Sequence, residues 1–514
     1  MGTLVVGTER YEMVTTVGKG TFGEVTQGWR RSTGEMVAIK ILKNEGHRGQ
    51  VAKNELKLLE ALREVDTEKS HLIRFLESFG DTTWTYLVFE LLEQNLFDFQ
   101  KKNNFSPLPV RHIRTITAQI LMALVKLKEL SIIHADLKPE NIMLVDHLRY
   151  PFRVKLIDFG SSSIFTEVQD IKEPYIQSRF YRAPEILLGL PFDEKVDIWS
   201  LGCVVVELHL GWPLFPGVNE YDQVRYISST LGSPPSELLG AARKTWSFFH
   251  RVPPPNGSWQ LKAPNEEMMR SMERRKYVFS SLDQLTSINI RPTVYPSWEA
   301  LAERCDLRGM VELVKKMLTW DSRKRIVPSA ALKHPFISLQ QVKTSFEATR
   351  YYQLCQEDLK ASQKDGGAVE IFSTMKEEGS SMKEGGSSMK DEGSSMKEEG
   401  SSMKEGSSMK EGGSSMKDEG SITSTAQCNI QKVIAQMDQL NLVEMVGSSH
   451  QTPIPTHYGT RHRRHRQRHK TQPNAGNLIV LGSSTRREQR GHQDFGGIVE
   501  QNLPGRPYTS PHVK

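Results

Sequence analysis

Eight consecutive residues, His134-Ala135-Asp136-Leu137-Lys138-Pro139-Glu140-Asn141, put a carboxylate, a cation and a carboxamide into one short loop. The loop lies between two apolar runs, Leu130 to Ile133 and Ile142 to Val145. That set suits phosphoryl transfer: Asp136 can accept a hydroxyl proton, Lys138 can stand beside the moving phosphate, and the Asn141 side-chain oxygen can face magnesium. Seventeen residues after Asn141, Asp158-Phe159-Gly160 closes a strand-like run, Val154 to Ile157, and offers a second metal-binding acid.

A nucleotide site should lie upstream. Gly18-Lys19-Gly20-Thr21-Phe22-Gly23-Glu24-Val25 reads as a glycine-rich hairpin, in which the backbone can approach phosphate oxygens with no Cβ in the way. A dinucleotide-binding turn would share the glycines, but it needs a helix directly after them and an acid about 20 residues on. Here an alternating β-branched segment follows, Val37-Ala38-Ile39-Lys40-Ile41, with a lysine in its middle. Val51 to Leu62 then has helical periodicity, and Glu55 falls within its apolar stripe. A carboxylate there is costly to bury unless it meets a cation, so a Lys40–Glu55 ion pair is expected to position the α- and β-phosphates.

The elements that carry these groups need a folded core, and only part of the chain can supply one. Of 514 residues, 37% are hydrophobic, unevenly spread. The expected organisation is a short segment 1–10, a globular domain 11–339 (small lobe about 11–90, large lobe about 93–339) and a linker 340–374. A disordered tail follows. No apolar run reaches the ~18 residues of a transmembrane helix, and Leu4-Val5-Val6 is too short for the core of a secretory leader. Myristoylation is not expected, because position six is Val6 rather than Ser or Thr. Cys203, Cys305, Cys355 and Cys428 show no metal or disulfide spacing and fit a reduced intracellular compartment, cytoplasm or nucleus. A net charge of +6 does not by itself imply nucleic acid.

From Tyr11 to about Leu339 the sequence resembles a eukaryotic protein kinase, and within that superfamily the homeodomain-interacting protein kinases. The stretches that carry the likeness are Gly18 to Val25, Val37 to Lys43, Leu87 to Asp98, Ile133 to Asp146, Tyr175 to Pro191 and Trp199 to Pro216. The resemblance implies an α+β, two-lobed fold with a β-rich small lobe, a mainly helical large lobe, and ATP with Mg2+ in the cleft. It implies nucleotide contacts from Val17, Gly18, Lys19, Gly20, Thr21, Phe22, Gly23, Glu24, Val25, Ala38, Lys40, Glu90 and Leu92. Phe89 would be the gatekeeper and Glu90 to Leu92 the hinge. Asp136 would be the base, Lys138 would steady the γ-phosphate, and Asn141 and Asp158 would hold the metal. Glu185 would pair with Arg325, and Asp197 would brace the catalytic loop.

One departure stands out. Most kinases carry arginine between the catalytic histidine and aspartate, to grip an activation-loop phosphate; here that residue is Ala135. Homeodomain-interacting kinases share the alanine and autophosphorylate a loop tyrosine. Tyr175 fills that place, with Arg179 and Arg182 near enough in sequence to bind a phosphate, and Arg182 is expected to shape a pocket for proline after the target Ser or Thr. The implied function is a protein serine/threonine kinase, monomeric, acting on protein substrates such as transcription regulators. A pseudokinase scaffold is the alternative, and the complete set Lys40, Glu55, Asp136, Asn141 and Asp158 argues against it.

The insert from about Leu239 to Leu301 is proline-rich and then charged, a surface excursion or a docking site. In the tail, Met375 to Gly420 holds seven near-copies of Met-Lys-Glu/Asp-(Glu/Gly)-Gly-Ser-Ser. One apolar residue per repeat is too few for a coiled-coil seam, so residues 375–421 read as disordered. Residues 429–446 have the spacing of a short amphipathic helix that could dock in a partner groove or back on the globular domain, rather than on a membrane. The tail from 447 to 514 carries a basic run, 461–470, that suits nuclear import. It lacks aromatic interleaving, so sequence-specific nucleic-acid binding is not expected.

Overall fold

Alternation along one strand sets the geometry of the small lobe. In the computed structural model, which describes residues 3–6, 9–19, 23–168, 176–253, 257–264, 273–289 and 297–363, Glu35–Lys43 forms strand β4 with Val37 and Ile39 buried. Side chains on a strand alternate between faces, so Ala38 and Lys40 share the opposite face. Strands β1 (Thr3–Val6), β2 (Glu9–Lys19), β3 (Gly23–Arg30), β4, β5 (Phe75–Gly80) and β6 (Trp84–Glu90) make an antiparallel sheet in the order β1-β2-β3-β4-β6-β5. Residues 1–10, read from sequence as a bare segment, thus include an edge strand that pairs Leu4 with Tyr11. At Gly23 a Cβ would collide with the Ile41 carbonyl; glycine lets β3 lie against β4 there, opposite Leu42.

Helix α1 (Gly46–Ala61) packs Ala52, Leu58 and Leu59 inward and buries Glu55 with them. The lobes join behind the cleft, where the Leu156 N–H donates to the His71 carbonyl (2.8 Å) and the Ile73 N–H to the Leu156 carbonyl (3.1 Å).

The large lobe is built on helices α2 (Val110–Glu129), α3 (Lys195–Leu210) and α4 (Trp298–Met317), with a small sheet of β7 (Gln94–Asn95), β8 (Ile142–Leu144) and β9 (Val154–Leu156) at the cleft. Every residue of α3 from Val196 to Leu210 is buried, as expected for a helix that is apolar nearly all round. One apolar cluster runs from Leu42 and Leu58 through Leu156 to Trp199 and Val314, so the two lobes share a core.

The stretch 340–374 was expected to be a linker. Instead, Gln340–Phe346 is helical, and so is helix α5, Arg350–Ala361. Val342, Phe346, Tyr351, Tyr352, Cys355 and Leu359 bury one face of this pair against Ala302 of α4, and the Tyr351 hydroxyl donates to Asp306 (2.7 Å). Asp358 of α5 pairs with Arg111 of α2. The described residues all belong to one unit, Met1–Asp391. The repeats 375–421, the stretch 429–446 and the basic run 461–470 lie outside the described residues, as do Gly20, Thr21, Phe22 and Tyr175.

Candidate active site

Lys40 reaches from β4 to two carboxylates on different elements. Its Nζ donates to Glu55 Oε1 of α1 (2.6 Å) and to Asp158 Oδ1 (2.8 Å), just past β9. Burial works against the Lys40 charge, but Asp158 and Glu55 outweigh it and hold the lysine above its ordinary pKa. In turn, the Lys40 ammonium holds the Asp158 carboxyl far below the usual carboxylate range. Asp158 therefore stays ionised, with its side chain partly open to solvent.

The loop from His134 to Asn141 carries the second group of polar side chains. Asp136 Oδ2 accepts from Lys138 Nζ (2.6 Å), and the Asn141 Nδ2 donates to the Asp136 carbonyl (2.8 Å) and more weakly to Oδ2 (3.3 Å). Burial opposes the Lys138 charge, and Asp136 restores it, for a net rise in pKa. With Nδ2 so engaged, Asn141 keeps its side-chain oxygen as an acceptor. A carboxamide oxygen here and the ionised Asp158 carboxylate are hard donors that fit Mg2+ completed by phosphate and water. Among the described residues no group of three His, Cys, Asp or Glu could hold a metal by itself; Asn141 and Asp158 would hold it together with the phosphates.

The loop is held from beneath. Asp197, at the start of α3, accepts the His134 N–H through Oδ2 (2.8 Å) and the Ala135 N–H through Oδ1 (2.9 Å). Burial raises the Asp197 pKa, against the pull of His134 and these two bonds. Ala135 sits at φ 63°, a left-handed conformation that costs a non-glycine residue roughly 1–2 kcal/mol. The two charge-assisted hydrogen bonds that Asp197 accepts offset that cost.

Ser178 was not singled out in the sequence. Its Oγ and N–H both donate to Asp136 Oδ1 (2.7 and 3.2 Å), and Lys138 Nζ reaches its Oγ at 3.3 Å. It lies 42 residues from Asp136, so no local spacing could have marked it.

Of the expected nucleotide contacts, Val17, Gly18 and Lys19 end β2, and Gly23, Glu24 and Val25 begin β3. Lys19 and Glu24 form an ion pair across the hairpin (3.4 Å). Val25 lies opposite Lys40, and Ala38 opposite Phe89. Phe89 packs its ring on Phe75, centroids 5.7 Å apart. Glu90 ends β6, and Leu92 follows, buried. Among the described residues the Leu92 backbone N–H and carbonyl have no protein partner, although buried backbone groups nearly always have one. They are available to an aromatic base.

Glu185 and Arg325 form a buried bidentate pair (2.6 and 2.9 Å). Arg179 donates to the Val218 carbonyl (2.8 Å). Arg182 donates to the carbonyls of Ile176 (3.1 Å) and Gln177 (2.9 Å) and to Glu220 (3.2 Å). Both arginines are thus engaged within the large lobe, and Tyr175, their expected partner once phosphorylated, is not described.

Residues 11–337 match the family described as protein kinase domain. Homeodomain-interacting protein kinase 4 of Rattus norvegicus is 64% identical over 364 residues, which cover 69% of this chain and 59% of the rat protein. The Homo sapiens protein of that name is 63% identical over the same length. Homeodomain-interacting protein kinase 1 of Mus musculus is 46% identical over 375 residues, 72% of this chain and 30% of that protein. The chain thus spans 59% of the length of the first two relatives.

Proposed function

This chain belongs to the protein kinase family, and from that premise we propose that it is an ATP-dependent protein serine/threonine kinase. The observation that carries the proposal is the convergence at the cleft. Lys40 links Glu55 to Asp158, Asp136, Lys138 and Asn141 hold one another, and the N–H of Ile157, next to Asp158, donates to the Asn141 carbonyl (3.0 Å) and ties the two groups together. Bound Mg2+ would neutralise charge on the transferring phosphate, held by Asn141 and Asp158. Lys40 would grip the α- and β-phosphates, and the Leu92 backbone would read the base. Asp136, oriented by Lys138 and Ser178, would accept the proton of a substrate hydroxyl. Positioning and electrostatics then supply the rate.

Two finer features belong to the same proposal. Arg182 already donates to the carbonyls of Ile176 and Gln177, so a substrate N–H meeting that loop would have to compete with a guanidinium for its acceptor. Proline has no N–H to leave unpaired, which supports a preference for Ser/Thr followed by proline. Tyr175 would be autophosphorylated, with Arg179 and Arg182 exchanging present partners for the phosphate. The named relatives interact with homeodomain proteins, and transcription regulators are accordingly the substrates proposed here, inside the cell. Mass spectrometry of protein expressed in bacteria, wild type beside Asp136→Asn, tests these features. Phosphate on Tyr175 in the wild type alone supports the switch, and unchanged activity in Tyr175→Phe rules it out.

A further inference from the structure

Behind the hinge lies a row of charged groups that the catalytic chemistry does not use. Lys155, on β9, is fully buried, and its Nζ donates to Glu90 Oε1 (2.6 Å) and to Glu68 Oε1 (2.7 Å). The other Glu68 oxygen accepts from Arg153 Nη2 (2.9 Å), which also reaches the Glu68 carbonyl (3.0 Å). Arg153 Nη1 then donates to the carbonyl of Ser362 (3.2 Å). Ser362 is the residue that ends α5, beyond the last residue of the kinase-family match. At the other end of the row, Glu90 Oε1 also accepts the Arg74 N–H (2.7 Å).

Desolvating a lysine and an arginine is costly, and a bury-and-pair arrangement of this kind is retained where it fixes geometry. Among the described residues the buried Arg153 Nε has no partner; the geometry is held at some expense. What the row fixes is the side chain of Glu90, the first hinge residue, two positions from the unmatched backbone of Leu92. The carboxylate is tied to Lys155 and to the Arg74 N–H, and the Glu90 N–H donates to the Arg74 carbonyl (3.1 Å), so side chain and backbone of this residue are held together. The far anchor is a carbonyl at the end of a helix, where acceptors lack intrahelical donors and a guanidinium is favoured by the helix dipole.

We propose that the C-terminal helix α5 is a positioning element for the nucleotide: Ser362 holds Arg153, Arg153 holds Glu68, and these hold Lys155 against Glu90, so that the hinge is set for the base. Arg153 and Lys155 are positioning residues, since neither meets the nucleotide. The inference rests on the kinase reading and deepens it. It gives the segment after the catalytic domain a part in ATP affinity.

The test uses the full chain and the variants Arg153→Met, Lys155→Met, Arg153→Lys and the double Met variant. Two measurements are made: the split between KM for ATP and kcat, and direct titration with a fluorescent ATP analogue. Lys155→Met raises KM and Kd roughly tenfold, about the worth of one charge-assisted hydrogen bond, while kcat stays within about twofold. Arg153→Met has a smaller effect of the same kind, and Arg153→Lys recovers most of it. The double variant is no worse than Lys155→Met, because Arg153 acts through Lys155. Unchanged nucleotide affinity in the Met variants, additive losses, or a lower melting temperature as the sole effect overturns the proposal. If Lys155→Met does not fold, Arg153→Met and its lysine rescue decide the matter alone. A wild type that binds the analogue yet transfers no phosphate would sink the kinase reading and leave the row to be judged by titration. A wild type that binds no ATP sinks both.

Discussion

Replacing Asp197 by asparagine isolates the support beneath the catalytic loop. The carboxylate accepts two backbone N–H groups, from His134 and Ala135, at 2.8 and 2.9 Å. Asparagine can accept one of them, but its Nδ2 then points a donor at the other. One buried N–H is left without a partner, at about 1–3 kcal/mol. Ala135 at φ 63° carries roughly 1–2 kcal/mol of backbone cost in wild type and variant alike, and in the variant one hydrogen bond instead of two holds the loop in that conformation. That loss, about 1–3 kcal/mol, falls on the two residues before Asp136, the strained Ala135 among them. The loop relaxes, and a displacement on the order of 1 Å at the base lowers kcat about 100-fold. The nucleotide contacts proposed for β4 and the hinge are untouched, so KM for ATP should stay within about twofold. Steady-state kinetics and thermal unfolding on the same samples read both effects. The diagnostic partner is Ala135→Gly in the Asp197→Asn background: glycine adopts this φ without strain, and about 1 kcal/mol of stability and part of kcat should return. A melting temperature lowered with kcat intact, or no recovery on adding glycine, would refute the link between loop strain and catalysis.

Three further outcomes follow from the same contacts. Lys40→Met leaves Glu55 buried with no cation, so the melting temperature falls by the equivalent of about 3–5 kcal/mol and ATP binding by titration is lost; normal ATP affinity in a folded variant would contradict the phosphate role. Glu185→Gln breaks the buried pair with Arg325 at a similar cost of about 3–5 kcal/mol, read by denaturant unfolding. Glu207, buried on α3 and bonded to the Tyr181 hydroxyl (2.7 Å), is pushed by burial from 4.5 up to about 8. A raised folded-state pKa means that its stabilising contribution is full below pH 4.5 and is lost as pH rises through 8. Glu207→Gln removes that dependence, and wild type should fall behind it by an amount on the order of several kcal/mol between pH 5 and 8.5 in urea titrations.

What could be seen in the sequence was whatever chemistry is local along the chain. Asp136, Lys138 and Asn141 share one loop, and Lys40 and Glu55 betray themselves by a charge where an apolar face was due. Their meeting at 2.6 Å follows from strand alternation in β4 and the buried stripe of α1. Ser178 could not be seen, because it joins Asp136 only after the chain folds back across 42 residues. The support from Asp197 was expected only through resemblance, and its physical need, a left-handed Ala135, is a backbone property that alanine does not announce. Residues 340–363 lie past the end of the kinase likeness at about Leu339, so the resemblance gives them no place in the fold. The spacing of Val342 with Phe346, and of Tyr351 and Tyr352 with Cys355 and Leu359, already marked one buried face. Lys155 read as an ordinary strand residue, since nothing local says that Glu68 and Glu90 converge on it.

Transfer of the γ-phosphate from ATP to a Ser-Pro peptide, measured with Mg2+ for wild type and Asp136→Asn side by side, bears most directly on the cleft as a phosphoryl-transfer site. The wild type should label the peptide, and Asp136→Asn should lose at least about 100-fold in kcat, the contribution of a positioned proton acceptor, while still binding the nucleotide. Equal labelling by both proteins, or none by a wild type that binds ATP, would contradict it.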